Sequence, residues 1–120
     1  MSSSAPSPAV TVEMRGNALI ATINAKMLDD KELKVLGNVL DEATKESATP
    51  LIVVNLERVQ LVPSLALGLL LRIQQKCAAR KQEMVLAAMS PQVRQIFTIT
   101  KLDRLLKLSD TVEAALATTG

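Results

Sequence analysis

Histidine, tryptophan and tyrosine are absent from this chain of 120 residues, and phenylalanine and cysteine occur once each, as Phe97 and Cys77. Each shortage removes a class of function. With no His and a single Cys, the usual nucleophile-and-base pairs and metal-ligand clusters cannot be assembled, and the four glycines form no phosphate-cradling loop. The chain is therefore expected to be no enzyme, to hold no metal and to need no cofactor. Bases could not stack on a surface this poor in aromatic rings, and the 14 basic and 12 acidic residues are intermingled, with a net charge of only +2. Nucleic acid is not an expected partner. One cysteine excludes an internal disulfide and fits a reducing compartment. The opening MSSSAPSPA lacks the apolar core of a signal peptide, and the longest apolar run, residues 65–71, is far short of the roughly 20 residues a spanning helix requires. A cytoplasmic protein without direct membrane insertion is expected.

What is plentiful is aliphatic. Hydrophobic residues make up 48% of the chain and the mean hydropathy is +0.25, ample for the core of one domain. Residues 1–9 are almost all Ser, Ala and Pro and are expected to be a disordered lead-in; residues 118–120 form a short polar tail. Between them the patterning predicts the order β-β-α-β-α-β-α-β-α. The alternating V-T-V-E-M at 10–14, the turn-forming Gly16-Asn17 and the apolar run 18–23 read as a hairpin. Asp29 or Asp30 can cap a helix whose inward face is Leu33, Leu36, Val39, Leu40 and Ala43, stopped by Ser47, Ala48, Thr49 and Pro50. LIVVNL at 51–56 is apolar without alternation, as expected of a central strand covered on both faces.

Pro63 suits the first position of the next helix, which puts Ser64 in a first turn whose backbone donors are unpaired. This helix runs to about residue 81, apolar all round at its start, with a polar face only in its second half, so its N-terminal end is expected to be the buried one. Gly68 inside it suggests close approach to the sheet, since glycine there is about 1 kcal/mol less favourable than Ala. Cys77, Met84 and Met89 read as core, whereas Lys76, Arg80 and Lys81 read as a solvated helix end. A strand over 83–89 precedes Ser90-Pro91, a strong helix start with Val93, Ile96, Phe97 and Thr100 on its inward face. Residues 105–108 supply a last short strand, and Ser109 or Asp110 caps a final helix carrying Val112, Ala115 and Leu116.

Three stretches in this order and spacing make the chain resemble a STAS domain, the family of bacterial anti-sigma-factor antagonists and of the cytoplasmic tails of sulfate transporters. They are LIVVNLERVQLVPSLALGLLLRIQQKCAARK, MVLAAMSPQVRQIFTITKLDRLL and LSDTVEAAL, and the likeness covers about residues 10–117. The first is similar to the family's strand, an Asp-Ser-Ser-Gly-Leu-Gly-like box and the following helix; the second ends in a Thr-Gly-Leu-like turn. The resemblance implies an α/β fold in which a mixed sheet is flanked by helices, backed on one side. Aligned on Leu67 and Gly68, the family's phosphorylatable hydroxyl falls on Ser64. The Asp before it is Pro63, the second hydroxyl is Leu65, the first Gly is Ala66, and the acidic residue that often ends the central strand is Asn55.

The resemblance further implies a protein-binding regulatory module of a bacterial signalling circuit controlling transcription. Its partner would be a kinase-type anti-sigma factor or a related STAS protein, and homo-oligomers are an expected state. The expected contact surface is Arg58, Gln60, Val62, Pro63, Ser64 and Leu65, with Val62 and Leu65 as exposed apolar anchors and Ser64 as the candidate phospho-acceptor. Two other roles belong to the same family: a subunit of a membrane transport system or small-ligand module, and a scaffold of a stressosome-like sensory assembly.

Overall fold

The computed structural model describes residues 9–45 and 49–117, with the side chains of 41–45 excepted. The lead-in over 1–8, the tail over 118–120, the inward placement of Ala43 and the stop at Ser47 and Ala48 therefore lie outside the described residues. Five strands form one sheet in the order β1 (Val10–Arg15), β2 (Ala18–Ile23), β3 (Leu51–Asn55), β4 (Glu83–Ala87) and β5 (Lys107–Ser109). The first pair is antiparallel and closes through Gly16, at φ +58, where a residue with a Cβ would be strained. All later pairs are parallel. Helices α1 (Asp30–Lys45), α2 (Ser64–Ala79), α3 (Pro91–Ile99) and α4 (Val112–Ala117) make or follow the crossovers, and a single 3₁₀ turn at Leu102–Arg104 precedes β5.

Each strand's two faces go to different cores. Leu19, Ile23, Ile52, Val54, Met84 and Leu86 point into the larger core, where Leu33, Leu36 and Leu40 of α1, Leu70 and Ile73 of α2, and Val93 and Phe97 of α3 meet them. The other face of the sheet, Ala18, Ile20, Leu51, Val53, Val85 and Ala87, packs against Ala115, Val112 and Leu116 of α4. Helices thus flank the sheet on both sides instead of backing one. All five residues of β3 are buried, which explains why that strand carries no polar alternation.

Helix ends follow local chemistry, with two revisions of the expectation. Ser90 caps α3 as expected, its Oγ accepting from the Val93 N–H at 3.2 Å. Thr100 is exposed and not on the inward face; α3 has already ended at Ile99, and the Thr100 hydroxyl donates back to the Ile96 carbonyl at 2.7 Å. Neither Ser109 nor Asp110 caps α4, because Thr111 does, accepting from the Ala114 N–H at 2.9 Å, while Asp110 pairs with Arg94 at 2.7 Å. Lys101 stands at φ +63 after α3, in the place where the family's turn has Gly. Lys81 does the same after α2 at φ +62, in a turn closed by Gln82 N–H to Cys77 O at 2.8 Å and Lys81 N–H to Ala78 O at 3.0 Å, the Schellman arrangement.

Candidate functional site

Parallel strands point the same way, so the C-terminal ends of β2, β3 and β4 and the N-termini of α1, α2 and α3 gather at one end of the sheet, where open α/β folds present their sites. The segment over 56–63 crosses this end. It begins in an Asx-type turn: Asn55 Oδ1 accepts from the Glu57 N–H, and Asn55 Nδ2 donates to Glu57 Oε1, both at 3.1 Å. An amide at this position can serve a carboxylate neighbour that an Asp would repel. Leu56, Val59 and Val62 bury their side chains in the larger core. Two backbone donors, Gln60 N–H at 2.6 Å and Leu61 N–H at 3.1 Å, share the Lys26 carbonyl, and Leu28 N–H donates to Leu61 O at 2.9 Å. Buried anchors and backbone bonds together hold the segment against the connection between β2 and α1.

Pro63 then stands at the N-cap of α2 at φ −65 and ψ 157 with no side-chain cap, and inside the first turn Ala66 N–H donates to the Pro63 carbonyl at 2.9 Å. Ser64 is the first helical residue and is exposed. The same end of the sheet carries three exposed large apolar side chains, Leu65 at 67%, Leu61 at 50% and Met27 at 43% exposure, Met27 and Leu61 being joined in an isolated parallel bridge. Arg58 and Gln60 are exposed and Pro63 is half-buried.

Three expectations change here. Val62 is not an exposed anchor, because the turn points its side chain inward and leaves only 4% exposed. The start of α2 is not wholly buried: Ala66, Leu67, Leu70, Ile73 and Cys77 form the inward stripe, and Leu65 falls outside it. Gly68 does not allow close approach to the sheet either, since it faces solvent and a Cβ built on it meets nothing within 4 Å. Sequence reasoning missed Met27 and did not single out Leu61, which sit in connections where no periodicity marks a face; each follows a polar residue, Lys26 or Gln60, and precedes an apolar one that is buried, Leu28 or Val62.

The electrostatics of this end are set by α1 as well. Asp29 caps it, accepting from the Lys31 N–H at 3.0 Å, while its own N–H donates to Glu32 Oε1 at 3.2 Å, a reciprocal capping box. Hydrogen bonding with Glu32 holds the Asp29 carboxyl below its ordinary range, and burial pushes the Glu32 carboxyl above its own. The first turn of α2, in contrast, has no acidic residue. Among the described residues no group of three His, Cys, Asp or Glu could hold a metal ion. A groove of about 1460 Å³ opens at the opposite end of the sheet, lined by residues including Lys81, Glu83, Arg104 and Lys107, with Lys107 paired to Glu83.

The model of the STAS domain family matches residues 9–115. Among solved structures, an anti-sigma factor antagonist from Mycobacterium paratuberculosis superimposes with a TM-score of 0.75 at 21% identity, covering 90% of each chain. The phosphorylated Bacillus cell-fate determinant SpoIIAA gives 0.68 at 22% identity, over 93% of this chain and 100% of the other. A sulfate transporter family protein from Wolinella succinogenes gives 0.67 at 17% identity, over 84% and 83%. At such identities the superpositions speak for the fold, which serves both kinds of neighbour. Among the described residues no helix is long and apolar enough to cross a membrane.

Proposed function

Since the chain belongs to the STAS domain family, we propose that it acts as an anti-sigma-factor antagonist, a cytoplasmic binding module that occupies a kinase-type anti-sigma factor by competitive contact. One observation carries the reading: Ser64 is exposed at the start of α2, at the same end of the sheet as the exposed apolar side chains of Leu61, Leu65 and Met27. Leu61, Leu65 and Met27 supply apolar area for a contact, and Arg58, a residue type enriched in interfaces, lies with Gln60 on the same segment. Ser64 is the switch in this reading. A phosphate there would add a charge of about −1.5 to −2 next to the positive end of a helix. Without an acidic residue in that turn, the modified helix is not destabilised, while the apolar contact is opposed by a charge that would have to be desolvated.

The test measures affinity for each kinase-type anti-sigma factor of the source cell, with phosphate mapped by mass spectrometry after incubation with ATP. Leu65→Glu and Ser64→Asp are expected to weaken binding at least about tenfold without lowering thermal stability, whereas Ser64→Ala binds as the parent does. Phosphate on another residue, or none, counts against the switch. Undiminished binding by Leu65→Glu counts against the surface, and recovery of an ATP-binding transport subunit in place of an anti-sigma factor would assign the protein to the transport branch.

A further inference from the structure

We propose that the free edge of β1 is a self-association surface, pairing antiparallel with β1 of a second copy about a two-fold axis through Met14. The inference does not depend on the role of Ser64. In the β1–β2 ladder, Asn24 N–H donates to Ala9 O at 2.8 Å, which makes Ala9 and Asn24 a hydrogen-bonded pair; alternation then makes Thr11, Glu13 and Arg15 the residues bonded to β2. The N–H and C=O groups of Val10, Val12 and Met14 consequently point away from the sheet along an edge that no other described strand covers. β1 has no Pro, no Lys and no bulge, its register with β2 being regular over six pairs, and its charged residues, Glu13 and Arg15, are of opposite sign.

Side chains on this edge are also left unfinished. Val12 is 37% and Met14 51% exposed on the sheet face that α1 covers, and Val35 of α1 is 37% exposed. Charge chooses the occupant and the register. Glu13 and Arg15 lie on the opposite face, linked by an ion pair of 3.3 Å within the strand. A two-fold through Met14 sets Glu13 opposite the second copy's Arg15 twice over, in the closer, non-hydrogen-bonded positions. Met14 meets Met14, and the paired stretch is 13–15 of each copy, since Gly16 turns away at φ +58. A two-fold through Glu13 would oppose like charges, and one through Val12 would oppose Glu13 with Thr11. The strand is therefore complementary in sign to itself in one register. The result is a continuous ten-stranded sheet with both α1 helices on one face.

Sedimentation equilibrium of the full chain over a range of concentrations and salt tests the proposal. A concentration-dependent dimer that weakens with salt is expected. Glu13→Arg or Arg15→Glu alone should raise the dissociation constant about tenfold, and the double swap should restore it. Register is read by oxidation. Met14→Cys should cross-link, because a directly opposed pair lies about 5.5 Å apart at Cα, within disulfide reach; Val12→Cys, roughly 14 Å from its symmetry mate, should not. Native Cys77 is buried and does not compete. Thermal melts of each variant check that the fold is kept. A monomer at all concentrations, a failed double swap, or cross-linking through Val12→Cys and not Met14→Cys would overturn the proposal. So would a dimer seen only after deletion of residues 1–8, which would mean that the chain's own N-terminal segment occupies the edge.

Discussion

Replacing Gly68 with Ala separates what the fold needs from what the surface does. Gly68 is helical, exposed, and open enough that a Cβ meets no heavy atom within 4 Å. Nothing inside the molecule opposes the methyl group, and the unfolded chain loses backbone freedom, so Ala should stabilise by about 0.5–1 kcal/mol. For a domain of this size that is on the order of 2–6 °C in Tm, or about 0.5 M in the urea midpoint at unchanged m. Paired urea titrations by circular dichroism would measure it. Ser64, Gly68 and Arg72 follow one another at helical spacing on the exposed side of α2, so the same methyl would project into a partner docked there. In a close-packed contact such a group is unfavourable by roughly 1–3 kcal/mol, a loss of about 5- to 150-fold in affinity. Stability is expected to rise while binding falls. A fall in stability would refute the open surface around Gly68, and a rise without loss of affinity would remove Gly68 from the contact face.

Three further outcomes are expected. Lys81→Gly should raise stability by about 1 kcal/mol, because Lys81 holds a left-handed conformation that disfavours a Cβ; a neutral or negative change in melting temperature would argue against that conformation. Asn55→Asp should destabilise at neutral pH, because a second carboxylate replaces the amide that donates to Glu57; denaturant titrations of the two proteins measure the loss, and an unchanged midpoint would count against the turn. The Asp29 carboxyl is held below its ordinary value, so its contribution is complete above about pH 4 and is lost as pH falls through the lowered value. Asp29→Asn, which keeps a capping oxygen but no charge, should flatten the acid limb of the stability profile, and an unchanged limb would count against the cap.

The fold was legible because aliphatic burial writes itself into spacing. The unalternating run of β3 announced a strand covered on both faces, and Leu33, Leu36 and Leu40 marked one side of α1. α4 escaped placement on the second face, since six residues with one fully buried Ala115 carry too little pattern to say which face they cover. The site was half legible. Ser64 and Leu65 are exposed in the first turn of α2, but burial of Val62 depends on the path of a turn, which neither propensity nor period specifies. Met27 and Leu61 become neighbours only because two connections over thirty residues apart share the Lys26 carbonyl. Gly68 shows the limit most clearly: its presence was readable, its reason was not, because a glycine facing the sheet and one facing solvent look alike in text.

The sharing of that carbonyl bears on how the surface would bind. Loops commonly exchange their amide protons quickly and give up freedom when a partner arrives. Here Gln60 and Leu61 are bonded in the free protein, between the buried anchors Val59 and Val62. Their amides should exchange slowly for a connecting segment, and association should order little backbone, so the contact would proceed close to rigid docking with a small conformational-entropy penalty.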